Sequence, residues 1–176
     1  IRNNINVYSA HTNLDLALVN RMLADLVGLA QTDREAVEVA FEDKLLKLVA
    51  FIPEGYEDKV RQALAEAGAG WIGRYSHCTF QVPGTGTFKP LDHTSPFIGQ
   101  PGRLEKVPEL RLETILPVSL REKVVAALLS VHPYEEVAYD LYPLHRPGKQ
   151  LGFGLLGLLN PPLKMEDILK RCAERL

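Results

Sequence analysis

The feature that most constrains this chain is a repeat. Lys47-Leu48-Val49-Ala50-Phe51-Ile52-Pro53 reads as a buried strand closed by proline, and residues 55–68 carry Val60, Ala63, Leu64 and Ala67 at helical spacing. The same unit returns at Leu112-Glu113-Thr114-Ile115-Leu116-Pro117, followed by Arg121-Glu122-Lys123-Val124-Val125-Ala126-Ala127-Leu128. Pro53, Lys59, Val60, Ala63 and Leu64 align with Pro117, Lys123, Val124, Ala127 and Leu128 at a constant offset of 64 positions (117 − 53). A strand–helix pair that occurs twice must bury two equivalent faces against each other. Further strand follows each copy, at residues 75–82 with a hairpin turn expected at Pro83-Gly84-Thr85-Gly86, and at residues 137–141. Two β-α-β units predict a ferredoxin-like sandwich over residues 45–144. The proline-rich stretch 91–108 is a long loop between the halves, a length often tied to function or an interface.

The flanks differ in character. Ile5, Val7 and Ser9 alternate with Asn6, Tyr8 and Ala10 as a short strand, which breaks into the polar turn His11, Thr12, Asn13 and Asp15. Leu18, Met22, Leu23, Leu26 and Leu29 then sit near helical spacing, with Gly28 where such a helix would stop. Residues 31–43 show no clean period and read as a connector. After a linker at His145-Arg146-Pro147-Gly148, residues 151–159 read as a glycine-broken strand and 164–176 as a helix with Ile168, Leu169 and Cys172 inward. The expected domains are therefore 1–44, 45–144 and 145–176, the first and last being parts of one α/β domain interrupted by the middle one. The fold class is mixed α/β (α+β).

Composition excludes several functions. With 46% hydrophobic residues in 176, the chain has material for a core, and a formal net charge of -2 leaves no basic stripe for nucleic acid. The longest apolar runs are too short to span a bilayer, so no membrane partner is expected. Cys78 and Cys172 stand alone without a Cys-x-x-Cys pair, which argues against a disulfide framework and for a cytoplasmic setting. The chain opens with Ile1 rather than Met, directly before a strand-like run, so residues ahead of it are expected to be missing.

A strand that ends in His and Asp is where α/β proteins place ligands. His11 and Asp15 are four apart, and imidazole and carboxylate both bind zinc or iron. Spacing alone favours turn residues bonded to their own backbone, and a metal centre needs three protein donors. His132-Pro133-Tyr134-Glu135-Glu136 has clasp-like residues but sits where a helix gives way to a strand, which favours a structural turn over a ligand or subunit contact. Ser76-His77-Cys78 would alternate across a strand, so His77 and Cys78 make no dyad. Gly152-Phe153-Gly154-Leu155-Leu156-Gly157 matches the dinucleotide fingerprint in letters, but Asn160-Pro161-Pro162 stands where its helix should start. Pro83-Gly84-Thr85-Gly86-Thr87 lacks the lysine of a P-loop, and Asp92 and His93 are loop residues without a role.

Ser9-Ala10-His11-Thr12-Asn13-Leu14-Asp15, Tyr75-Ser76-His77-Cys78-Thr79-Phe80, Gly84-Thr85-Gly86-Thr87-Phe88 and His132-Pro133-Tyr134-Glu135-Glu136-Val137-Ala138-Tyr139-Asp140 occur in this order. Together they resemble the NGG-interacting-factor-three family, many of whose members are labelled GTP cyclohydrolase I type 2 homologues. The resemblance implies an α/β domain with a two-metal centre, zinc or iron, interrupted by an inserted ferredoxin-like domain similar to the PII and CutA signalling folds. It implies that Asp15 is a metal ligand and His11 a neighbour of that site. It also implies a homo-oligomer, a hexameric ring with trimeric contacts through the insert. Where the family carries a glycine pair and Asn-Asp after this motif, the sequence has Ala17-Leu18-Val19-Asn20. The family's upstream histidine pair and downstream His and Glu have no counterpart here, so the two-metal site is expected to be incomplete in this chain. Two functions follow as expectations: a metal-dependent hydrolase of a nucleotide-like substrate such as GTP, or a non-catalytic regulatory or assembly protein whose insert oligomerises or senses a small ligand.

Overall fold

The computed structural model describes residues 9, 11–32 and 34–175. The strand expected over residues 5–8 lies outside them. The chain divides into two compact units, one of residues 1–42 with 149–176 and one of residues 43–148. The architecture is mixed helix and sheet.

In the 43–148 unit, β2 (Leu45–Pro53), β3 (Thr79–Phe88), β4 (Glu105–Pro117) and β5 (Tyr139–Pro143) form one sheet in the order β3-β4-β2-β5. All three pairings are antiparallel. Helices α3 (Glu57–Ala67) and α4 (Arg121–Val131) each follow a strand of the repeat. That order is a split β-α-β pair, the ferredoxin-like arrangement. The repeat explains the core: Leu48, Ile52, Val60 and Leu64 in the first copy and Leu112, Leu116, Val124 and Leu128 in the second are all at most 1% exposed and share one cluster. Each fully buried aliphatic side chain of this kind is worth roughly 1.5–3 kcal/mol. Gly68, at φ 107°, ends α3 in the left-handed conformation that glycine adopts without a Cβ penalty.

Three expectations fail in this unit, the first being the loop over 91–108, whose last residues 105–108 already belong to β4 and pair with β3. No hairpin turn forms at Pro83-Gly84-Thr85-Gly86, because β3 runs straight through it, pairing Pro83 with Leu110 and Gly86 with Val107. Proline is tolerated there because β3 is an edge strand with one unpaired side. Residues 76–78 precede β3 rather than lying in it, and His77 takes a left-handed φ of 58°. The Cys78 amide donates to the Gly70 carbonyl at 2.9 Å, and the Thr114 hydroxyl donates to the Cys78 carbonyl at 2.8 Å. That turn is held by one backbone bond and one side-chain hydroxyl, and strand alternation does not apply to it.

In the other unit, a helical run comprises α1 (Thr12–Leu14), a π-helical segment (Asp15–Val19) and α2 (Asn20–Val27). Gly28 closes it at φ 86°. The helix therefore begins earlier than the expected polar turn allows. Residues 35–43 are a strand, β1 (Glu35–Asp43), rather than a connector, and β1 pairs with β6 (Lys149–Leu156). The glycines of the rejected fingerprint belong to β6: a Cβ on Gly152 would collide with the Glu38 carbonyl, and Gly154 has φ 64°. Helix α5 (Met165–Arg175) sends Arg171 and Arg175 to the Val27 and Leu26 carbonyls at 3.0 and 3.2 Å. Cations at a helix C-terminus satisfy its free carbonyls and oppose its dipole. Among the described residues of this unit, Ala24 is the only buried apolar side chain, while Leu14, Leu18, Met22 and Leu26, four apart along the helical run, stay 37–52% exposed.

Candidate functional site

His11 and Asp15 stand at the start of the helical run, His11 at the N-cap position and Asp15 one residue past α1. Both are exposed. The His11 amide donates to the Asn13 side-chain oxygen at 2.8 Å, the local turn bond that polar caps favour. Among the described residues, no group of three or more His, Cys, Asp or Glu side chains is placed to hold a metal. One carboxylate beside one imidazole falls short of the three protein donors of a closed or catalytic zinc site. The described residues do not by themselves fit a metal centre. Both cysteines are free thiols.

The chemically richer place lies within the 43–148 unit, where the His132-Pro133-Tyr134-Glu135-Glu136 turn leaves α4. His132 is 7% exposed. Its Nε2 lies 3.0 Å from the Phe51 carbonyl, and its Nδ1 accepts the Tyr134 amide at 3.2 Å. An Nδ1 that accepts requires the neutral ring with its proton on Nε2, so Nε2–H donates to Phe51. The reason lies in the sheet: the Phe51 amide donates to the Ala138 carbonyl just before β5 begins, so the Phe51 carbonyl points past the end of the ladder and His132 fills the missing position. Burial pulls the His132 pKa below its ordinary value, against the opposing effects of the Phe51 bond and the Glu109 charge.

Tyr134 donates its hydroxyl to Glu109 Oε1 at 3.0 Å, and its ring packs at 5.0 Å from His132, 6.1 Å from Phe88 and 6.2 Å from Phe97. Burial first, then the hydrogen bond and negative charge of Glu109, push the Tyr134 hydroxyl far above its usual pKa. These residues border a cleft of about 520 Å³, walled by Phe51, Phe88, Leu91, Pro96, Phe97 and Tyr134 and carrying Glu109, Lys89, Glu135 and Glu136 as its charged groups. Glu135 anchors one rim by accepting the Ser95 amide at 3.1 Å. The structural turn expected at 132–136 is therefore present and also borders a cleft. No sequence motif marks Glu109 or Phe97, and Phe88 enters only as the last residue of the Gly84-Thr85-Gly86-Thr87-Phe88 motif. The available signal was the glycine pair Gly84-Thr85-Gly86 on β3, which faces Glu109 of β4 and at Gly86 leaves room for its carboxylate.

A family model described as Duf34/NIF3 (NGG1p interacting factor 3) matches residues 1–176. The chain belongs to the NIF3 family. Two relatives named GTP cyclohydrolase 1 type 2 homolog are similar to it: one from Halalkalibacterium halodurans, 49% identical over 97% of this chain and 46% of its own length, and one from Bacillus subtilis, 46% identical over 95% and 45%. The crystal structure of a Bacillus cereus protein related to NIF3 superposes with a TM-score of 0.80 at 43% identity, covering 94% of this chain and 43% of that one. The chain thus spans about half the length of these NIF3 relatives. No helix among the described residues is long and apolar enough to cross a membrane.

Proposed function

We propose that the protein to which this chain belongs is a metal-dependent hydrolase of a nucleotide-like substrate, using two divalent ions, zinc or iron, and that this chain contributes Asp15 as a ligand, with His11 as its neighbour. The observation that carries the reading is the state of Asp15: its carboxylate is exposed, on a helix, and makes no hydrogen bond or ion pair to a described residue. A helical carboxylate not engaged by any described residue is a ready ligand for a hard or borderline cation. The names of the relatives point to GTP as the first substrate to assay. In a protein of the relatives' length, Asp15→Ala is expected to lower both bound metal, read by elemental analysis, and GTP turnover. Unchanged metal content together with unchanged activity would sink the proposal.

The cleft favours a second reading, in which the 43–148 unit is an inserted PII- or CutA-like domain that senses a small ligand or mediates assembly into a ring-like homo-oligomer. Deleting residues 45–144 separates the two roles. An unchanged number of subunits removes the assembly role, and loss of turnover with the subunit number intact leaves regulation standing.

A further inference from the structure

We propose that the cleft bordered by Glu109 and Tyr134 binds a small molecule combining a flat aromatic ring with a cationic or N–H donor head, the head held by Glu109 and the ring by Phe88, Phe97 and Tyr134. The proposal rests on the ligand-sensing reading of the 43–148 unit and gives that ligand a chemistry.

Glu109 is 8% exposed, yet its one hydrogen bond is the Tyr134 hydroxyl on Oε1, and no described cation pairs with it. A largely buried carboxylate that keeps one oxygen open to a cleft favours a donor or a positive charge there, where the low-dielectric surroundings strengthen the attraction. The remaining oxygen, Oε2, lies against Gly86, where a Cβ would overlap it. Bare backbone at that position keeps the carboxylate accessible from the cleft. The walls supply the rest of the specificity. Phe88 and Phe97 flank the Tyr134 ring at 56° and 46°, and Tyr56 meets Phe97 edge-on at 5.6 Å, so the aromatic side is fixed by its neighbours rather than loose. A cleft of about 520 Å³ is in the range that encloses a molecule of one or two rings.

Charge decides the sign of the head. Glu109, Glu135 and Glu136 face the cleft against a single ammonium, Lys89. That balance repels a phosphate or carboxylate and attracts a cation. The site is thereby distinct in chemistry from a pocket for a nucleoside triphosphate, and its ligand is not the substrate proposed for the metal centre.

The test is calorimetric titration of the full-length protein with three probes: benzamidine as an aromatic cation, the larger guanosine as a neutral N–H donor, and benzoate as an anion of the same ring size as benzamidine. Benzamidine or guanosine is expected to bind with a Kd at or below about 1 mM, and benzoate to bind at least about tenfold more weakly, a gap of about 1.4 kcal/mol. Which of the first two binds tells whether charge or paired N–H donors is the recognised chemistry. Glu109→Gln is expected to weaken that binding about tenfold or more. Phe97→Ala, a change in a half-exposed loop side chain, should weaken it while leaving the melting profile in place, which keeps the test valid if the buried Glu109 variant folds poorly. Absence of binding by both donors, equal binding of benzoate, or indifference to both substitutions overturns the proposal. So does a Glu109→Gln protein whose oligomer mass changes while its affinity does not, since the cleft would then be a contact between copies. None of these outcomes bears on the Asp15 proposal, which is read by metal content and GTP turnover.

Discussion

His132 offers the sharpest test of how the 43–148 unit is held together. Replacing it with Phe keeps the aromatic volume and removes both ring nitrogens. The Phe51 carbonyl, pointing past the end of the β2–β5 ladder, then loses its 3.0 Å donor, and the Tyr134 amide loses its 3.2 Å acceptor. A buried polar group left unpaired costs about 1–3 kcal/mol and an ordinary hydrogen bond contributes about 0.5–1.5 kcal/mol. His132→Phe is accordingly expected to destabilise the protein by roughly 1.5–4.5 kcal/mol at pH 7.5, from the sum of those two effects. The pH dependence is the more specific signature. Burial lowers the folded-state pKa, so between the unfolded value near 6.5 and the lower folded value the unfolded chain binds a proton that the native ring does not. Stability from the neutral ring is therefore complete above about pH 6.5 and is lost as the pH falls through that window. Urea midpoints measured at pH 7.5 and pH 5.5 should drop for the parent chain and drop less for His132→Phe. Equal drops in the two proteins, or a variant as stable as the parent at pH 7.5, would refute the assignment of a neutral, doubly bonded His132.

Two further outcomes follow from the packing. Leu64→Ala and Leu128→Ala truncate fully buried side chains at equivalent places in the repeat, and each is expected to lower unfolding free energy by about 2–5 kcal/mol in denaturant titrations. Their costs should match within about a factor of two, and a clearly smaller loss for one would show that the two halves of the core are not equivalent. Gly152→Ala places a methyl group against the Glu38 carbonyl and is expected to raise amide exchange along β1 and β6, while amides of β2 and β4 keep their protection.

The repeat was legible because both copies bury the same positions, and a period of identical chemistry survives in sequence whenever two faces meet the same partner. Strand β1 was overlooked although Val37, Val39 and Phe41 alternate with Glu38, Ala40 and Glu42. Ala36 and Ala40 blurred that period, and the apolar face itself is 47–72% exposed at Val37, Val39 and Phe41, so burial gave the strand little selective pattern. The glycines of β3 misled in the opposite direction. Gly84 and Gly86 look like turn residues, yet Gly86 serves a straight strand by making room for a side chain across the ladder. Local propensity cannot register a neighbour that is more than twenty positions away.

The same distance separates the two candidate sites in kind. Asp15 is marked by a contiguous motif and by its exposure, but a metal centre is defined by its donor set, and the described residues gather no group of three or more His, Cys, Asp or Glu side chains to hold an ion. The role proposed for it thus rests on a motif and not on a donor set assembled among the described residues. Glu109 is the reverse case. No motif marks it, yet the fold surrounds it with Tyr134, Gly86 and three aromatic walls, and the unfilled oxygen exists only because β3, β4 and the turn after α4 converge there. A residue of the first kind is found by comparison and tested by metal content. One of the second kind is found by asking which largely buried side chain keeps an open acceptor toward a cleft, and tested by supplying a donor in solution.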